Sequence, residues 1–190
     1  MQNKPHHVSH HMTKQEIRKQ LAIKFKELSE TDVLLKESKS VIDNLTSDEL
    51  WINAHRVLIY SSLWDEVDTS WLLRQYIHEK SIILPTVVGD SLELHEYVSQ
   101  NTTVVGAYGI TESTGPIVTD YDSIDLAIIP GRAFTPDGCR LGRGKGYYDR
   151  LLPLLHCPTI GICFSFQILE NIPIDTHDIK VDKVISCTKM

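Results

Sequence analysis

The tightest constraint on the fold is a set of apolar runs too short to be helices, spaced along the chain by segments with helical patterning. Val57-Leu-Ile-Tyr60, Ile82-Ile-Leu84 and the run that follows Asp125, Leu-Ala-Ile-Ile129, read as strands buried on both faces. Further strands are expected at 159–164 and 183–186, and Leu92 to Val98 alternates apolar and polar as a half-exposed strand does. Between these lie helices. Thr13-Lys-Gln-Glu16 has the form of a capping box, and Ile17, Leu21, Phe25 and Leu28 recur at helical spacing to about Ser29. A second helix is expected over 31–44, a short helical turn over 47–53, and a helix capped by Asp68 or Thr69 and running through His78. Strands interleaved with helices require cover on both sheet faces. The expected fold is therefore an α/β, three-layer α/β/α single domain with a mostly parallel sheet, taking its ligands at the carboxyl ends of the strands.

Composition narrows the function classes. A chain of 190 residues with 42% apolar content has room for one substantial core, so residues 13–190 are expected to form one domain. Residues 1–12, with His6, His7, His10 and His11, have little to bury and are expected to be a flexible tail. No apolar run approaches the roughly 20 residues of a membrane span, and the first residues lack a signal-like apolar stretch. A cytoplasmic monomer without membrane association is expected. The formal charge of -6 argues against a broad nucleic-acid-binding surface. Cys139, Cys157, Cys163 and Cys187 form no CxxC pair, which favours reduced thiols over disulfides or structural zinc.

An anionic ligand therefore needs a local cationic site, and one stretch supplies it. Directly after the buried strand ending at Ile129 comes PGRAFTPDGCRLGRGKGYYDRLL, in which Arg132, Arg140, Arg143, Lys145 and Arg150 are opposed only by Asp137 and Asp149. A loop that leaves a buried strand and enters a helix presents backbone N–H groups and a helix dipole to an anion. Gly142, Gly144 and Gly146 let that backbone curl closely around phosphate oxygens. The pattern is neither a Walker A loop, because Gly146 follows Lys145, nor a GxGxxG fingerprint, because Tyr147 replaces its last glycine. From the residues alone, a phosphate loop and a plain strand-to-helix turn both remain open. An activated Cys139 with His156 or His177 as base has no supporting geometry in the sequence.

RLGRGKGYYDRLL closely resembles the signature of the 5-formyltetrahydrofolate cyclo-ligase family. The resemblance extends to Lys14 and Arg18 on the first helix, to Asp65-Glu66 after the first strand, and to His177-Asp-Ile-Lys-Val-Asp182. It implies an enzyme that uses ATP and Mg2+ to close 5-formyltetrahydrofolate to 5,10-methenyltetrahydrofolate, releasing ADP and phosphate. By the same resemblance Lys14, Arg18 and the run Arg140, Leu141, Gly142, Arg143, Gly144, Lys145, Gly146, Tyr147, Tyr148 contact ATP, with Lys145 and Arg143 acting on the moving phosphoryl group. Ser61, Glu66, Tyr108 and Tyr148 would face the folate, and Asp149 and Asp178 would hold Mg2+.

Each assignment has a plainer alternative at this level. Lys14 and Arg18 could be solvated helix charges, Asp149 a favourable acid in a first helical turn, and one of Tyr147 and Tyr148 a core aromatic. Trp51, Trp64 and Trp71 read as core or pocket-wall residues. Tyr-Gly-Ile-Thr-Glu-Ser-Thr departs from the family's Gly-Ile-x-Glu-Pro, and Ser113 in place of proline is expected to loosen that loop. Pro153 is expected to end or kink the helix after the glycines. Two rival functions fit parts of this pattern: a sugar-phosphate isomerase on a similar sheet, and a folate-binding protein without turnover.

Overall fold

The computed structural model describes residues 12–99, 102–106 and 109–187, so the tail histidines and Tyr108 lie outside the described residues. The chain opens with α1 (Lys14–Ser29), whose capping box forms as expected: Thr13 Oγ1 accepts from the Glu16 N–H, and the Thr13 N–H donates to Glu16 Oε2 at 2.8 Å. Two helices follow, α2 (Val33–Thr46) and α3 (Glu49–Asn53), before β1 (Arg56–Leu58). At α4 (Ser70–Tyr76) the two expected caps divide the work. Thr69 occupies the cap position, and the Asp68 carboxylate accepts from the Ser70 N–H at 2.8 Å.

The next strand is longer than its apolar run. β2 (Ser81–Val88) continues past Leu84 because it turns back through Gly89, at φ 59°, into antiparallel β3 (Ser91–Glu96). Pro85 is tolerated there because pairing with β1 ends at Ile83, so no ladder bond is lost on that side. A small ribbon that the sequence pattern does not announce, β4 (Thr103–Val105) with β5 (Thr111–Ser113), precedes β6 (Leu126–Ile129). Then come the hairpin β7 (Ala133–Phe134) and β8 (Arg140–Leu141), α5 (Tyr147–Leu151), β9 (Thr159–Cys163) and β10 (Lys183–Ser186).

The main sheet runs β10-β9-β6-β1-β2-β3, parallel throughout except for the β3 edge. Alternate residues of its central strands feed opposite cores. Val57, Ile82, Leu84, Leu126, Ile128, Ile160 and Ile162 pack beneath α1 to α4 with Phe25, Leu45, Trp51 and Leu72. Leu58, Ile83, Ala127, Ile129 and Cys163 face the other way, against Phe134, Val118, Ile124, Leu151, Leu152 and Leu155. The result is the expected α/β arrangement with one thin outer layer. That layer is thin because α5 stops at Leu151, where Pro153 is accommodated in a single 3-10 turn, Leu152–Leu154, instead of a continued helix.

The first parallel strands are pinned at their starts by one carboxylate. Asp125 Oδ2 accepts from the N–H groups of Arg56 at 2.7 Å and His55 at 2.9 Å, joining the entries to β1 and β6. The Arg56 N–H, with that of His55, holds the Asp125 carboxyl below its ordinary pKa against the opposing effect of burial. A depressed folded-state pKa adds stability above the unfolded pKa that is lost as pH falls through the folded one. Asp125→Asn is therefore expected to lower the melting temperature at neutral pH. The gap to wild type should close as pH falls below the carboxylate range, about 4; a gap independent of pH in thermal unfolding would refute this role.

Candidate active site

The site lies where the sheet's connections diverge. From β1 the chain moves outward to β2, and it later returns to β6 on the other side of β1, so the loops leaving β1 and β6 part company and open a crevice. A cavity of about 400 Å³ occupies that crevice. Its walls are Tyr60 and Ser61 after β1, Pro85 and Val87 of β2, Pro130 and Gly131 after β6, and the glycine-rich segment.

That segment is built in two parts rather than as one loop from strand to helix. The β7-β8 hairpin comes first, closed by the Thr135–Cys139 turn, in which the Cys139 N–H donates to Thr135 Oγ1 at 2.9 Å and the Thr135 N–H donates to the Cys139 carbonyl at 2.9 Å. The phosphate-type loop proper is 142–146. Gly144 and Gly146 stand at φ 97° and 71°, conformations that side-chain-bearing residues rarely adopt. Leu141 faces inward, packed with Ile17 and Leu21 of α1, and so anchors the loop without lining the cavity. α5, which the loop enters, has only five residues, so its dipole is short and the charge at this loop comes mainly from side chains. Arg143, Gly144 and Lys145 are exposed at the cavity wall.

The strongest electrostatic feature is one the sequence pattern does not reveal. Asp65, 4% exposed, lies between two guanidinium groups, those of Arg132 and Arg143. Arg132 is buried and sits 4.9 Å over the Phe25 ring. Burial pulls its pKa down, and Asp65 opposes that loss. Arg143 is more exposed and reaches further, donating from Nε at 3.1 Å and Nη2 at 3.0 Å to Glu66 Oε1. Glu66 Oε2 accepts from the Leu63 N–H at 2.9 Å. Asp65-Glu66 is therefore no idle acidic loop, and Arg132, which reads as one more member of a cation run, is a structural counter-ion.

On the other side of the loop, α1 contributes both of its expected cations. Arg18 Nε donates to the Gly142 carbonyl at 2.8 Å. The Lys14 ammonium bridges Asp175, at 2.7 Å, and Asp178. Burial opposes the Lys14 charge, but these hydrogen bonds outweigh it and raise its pKa; the Asp178 carboxyl is correspondingly held low against burial by the Asp175 N–H and Lys14. Neither Lys14 nor Arg18 lines the cavity described above.

Asp149 does line that cavity, ion-paired with the buried Arg140. Arg140 also donates to the Pro130 carbonyl at 3.3 Å and lies 5.7 Å from the Tyr148 ring, while its buried Nε has no hydrogen-bond partner among the described residues. Asp149 and Asp178 are thus engaged by different cations, and Asp178 groups with Asp175 and His177, whose ligand atoms lie within 4.8 Å of one another. Tyr148 is the core aromatic of the pair, packed against both cores with its phenol pKa raised by burial. The Tyr147 ring lies 5.5 Å from the Arg150 guanidinium.

Other expectations resolve simply. Ser113 does not loosen its segment: it is buried, donates to the Glu96 carbonyl at 2.6 Å and accepts from the Gly115 N–H at 3.1 Å, so hydrogen bonds do what a proline ring would. Trp51 is buried, Trp64 lines the cavity, and Trp71 packs edge-on against Tyr76. Cys139 is buried beside Asp137, and His156 instead pairs with Asp122 at 2.6 Å, so neither the thiolate nor its base is assembled. Burial pushes the Cys157 thiol up to about 11 and that of Cys163 to about 12, and the four cysteines form no disulfide with one another.

Removing one partner of a buried ion pair leaves the other charge uncompensated, which costs about 3–5 kcal/mol. Asp65→Ala is accordingly expected to destabilise the fold by about that much. Adding Arg132→Met should restore a large part of it, and a double-mutant cycle in urea showing simple additivity would refute the coupling.

Residues 10–187 match the model of the 5-formyltetrahydrofolate cyclo-ligase family. The solved structure of Aquifex aeolicus 5,10-methenyltetrahydrofolate synthetase superposes with a TM-score of 0.82 at 38% identity, covering 92% of this chain and 89% of that one. That of the Mycoplasma pneumoniae 5,10-methenyltetrahydrofolate synthetase superposes with a TM-score of 0.74 at 25% identity, covering 93% and 100%. The mouse 5-formyltetrahydrofolate cyclo-ligase is 29% identical over 174 residues, 80% of this chain and 82% of the mouse protein. A match that runs from before α1 to the end of β10, with the fold shared by solved relatives over nine-tenths of the chain, has one meaning: the chain belongs to the 5-formyltetrahydrofolate cyclo-ligase family.

Proposed function

We propose that this protein is an ATP-dependent enzyme that closes 5-formyltetrahydrofolate to 5,10-methenyltetrahydrofolate, with ADP and phosphate as the other products. The observation that carries this is the cavity at the carboxyl ends of β1, β2 and β6. It is walled on one side by a loop of glycines with Arg143 and Lys145, and on the other by apolar residues and the carboxylates Glu66 and Glu112. A nucleotide polyphosphate suits the first wall and a flat, amide-rich heterocycle the second.

The chemistry asks for phosphate to leave from a carbon that begins as a formamide. The formyl oxygen takes the γ-phosphoryl group of ATP, N10 attacks the activated carbon, and phosphate departs with that oxygen as the five-membered ring closes. Phosphoryl transfer of this kind needs mainly positioning and charge neutralisation from the protein. In this reading Lys145 and Arg143 stabilise the moving phosphoryl group. Arg140, whose Nε lacks a hydrogen-bond partner among the described residues, joins the backbone of Leu141, Gly142, Gly144 and Gly146 and Tyr147 around the nucleotide, and Lys14 and Arg18 reach it from α1. Ser61, Glu66, Tyr148 and Tyr108 are assigned to the folate side, Tyr108 from the resemblance alone.

Magnesium would be held by Asp149 and Asp178. Their carboxylate oxygens are the donors a hard divalent ion takes, and the Lys14 ammonium bridging Asp175 and Asp178 marks ground already built for positive charge. Bound there, the ion would neutralise phosphate charge and release Lys14 to the nucleotide. We place the enzyme in the cytoplasm as a monomer acting on small molecules. No helix among the described residues is long and apolar enough to cross a membrane, and the cysteines carry no disulfide.

Family membership sets aside the isomerase alternative, and turnover is the measurement that separates the enzyme from a mere folate binder. Purified protein mixed with 5-formyltetrahydrofolate and Mg2+ should develop the near-ultraviolet band of the methenyl product only when ATP is present; a flat trace from folded protein would overturn the assignment. Lys145→Ala is expected to lower kcat by about two to three orders of magnitude, as loss of a preorganised electrostatic donor does, with little change in melting temperature. Asp149→Asn and Asp178→Asn should each raise the Mg2+ concentration needed for half-maximal rate, and unchanged Mg2+ dependence in both would remove them from the metal site.

A further inference from the structure

The glycines that let the loop 142–146 curl give it little stiffness of its own, so its fastenings to the rest of the fold decide where Lys145 stands. Its start is held by Arg18, which donates to the Gly142 carbonyl, and its middle by the Arg143 side chain on Asp65 and Glu66. Its end is held by Arg150, which does not line the cavity. Side chains on a helix lean toward its N-terminus, and from α5 that direction leads back over the loop. Arg150 Nη2 donates to the Lys145 carbonyl at 2.9 Å. The same nitrogen donates to the Asp90 carbonyl, in the turn that joins β2 to β3.

The guanidinium has a seat built for it. It lies over the Tyr147 ring, 5.5 Å from the centroid, where a flat cation gains from the face of the ring. Gly146 makes the room: a Cβ there would come within 2.6 Å of Arg150 Nη1. Tyr147 Oη also approaches the turn, 3.4 Å from the Gly89 carbonyl. Because β2 and β3 belong to the main sheet, Arg150 ties the end of the loop to the scaffold rather than to another loop.

We propose that Arg150 is a positioning residue for the reaction: by clamping the Lys145 carbonyl to the β2-β3 turn, it fixes where the Lys145 ammonium meets the phosphoryl group. The effect on rate rests on the cyclo-ligase reading; the clamp itself does not. Lysine carries a point charge on a flexible four-carbon stem, so its aim is only as good as the hold on its backbone. A misplacement of about 1 Å can cost about a hundredfold in rate.

The test compares wild type, Arg150→Met, Lys145→Ala and the double variant. Methionine keeps much of the arginine stem and none of its donors. Arg150→Met should lower kcat at least about tenfold, with KM for 5-formyltetrahydrofolate within about twofold and little change in melting temperature. In the Lys145→Ala background the same substitution should cost less than about twofold, because the group it positions is already gone. Backbone amide exchange, measured without substrates, should quicken in residues 88–92 and 144–150 together when Arg150 is replaced. An unchanged kcat, an equal loss with and without Lys145, or unaltered exchange in either segment would overturn the proposal and leave the cyclo-ligase reading intact. A folded wild type that yields no methenyl product would overturn the cyclo-ligase reading, and the role in rate with it, whatever the exchange shows.

Discussion

One buried carboxylate organises the site. Asp65 follows β1, Arg132 follows β6 and Arg143 lies in the glycine-rich loop, so the two ion pairs at Asp65 tie together the three segments that bound the cavity. The two guanidinium groups are not equivalent. Arg132 is enclosed, stacked on Phe25 and unable to reach solvent, whereas Arg143 is partly exposed and shared with Glu66. Because Arg132 keeps Asp65 compensated, Arg143 is not needed to neutralise that buried charge. The same arrangement ties the glycine-rich loop to the segment that follows β1.

Around that centre, charge is sorted by wall. Cations cluster on the loop 142–146 and on the facing side of α1, while the remaining wall is apolar except for Glu66 and Glu112. A chain of net charge -6 thereby presents a local positive surface on one wall of the cavity and a largely apolar surface with two carboxylates on the other. Bringing two unlike substrates edge to edge is what a ring closure driven by phosphoryl transfer requires, since the reacting oxygen, carbon and phosphorus must be aligned in one crevice.

Much of the scaffold was legible because it depends on local pattern. The capping box at Thr13, the apolar runs after Arg56 and Asp125 and a half-exposed strand at Ser91–Glu96 all follow from residue spacing. Boundaries moved where tertiary pairing took over. β2 extends to Val88 because β3 folds back on it, and the glycine-rich segment spends its first half as a hairpin because Leu141 and Ala133 pack against α1. The β4-β5 ribbon carried too little apolar pattern to be seen. At Ser113 a rule about proline misled, because side-chain hydrogen bonds restrain a backbone as well as a ring does.

The sequence by itself determined that a mostly parallel α/β sheet would form, that a cationic, glycine-rich segment would follow its buried strand β6, and which family such a signature resembles; each of these rests on residues close together in the chain. Only the tertiary structure decided which charges meet. Asp65 and Arg132, Lys14 and Asp178, Glu112 and Val87 come from distant segments, and nothing in their local sequence distinguishes a counter-ion from a ligand contact. Ion pairing and burial depend on distance and solvent exclusion in the folded chain, and the sheet's crossovers, not the spacing of residues, set both.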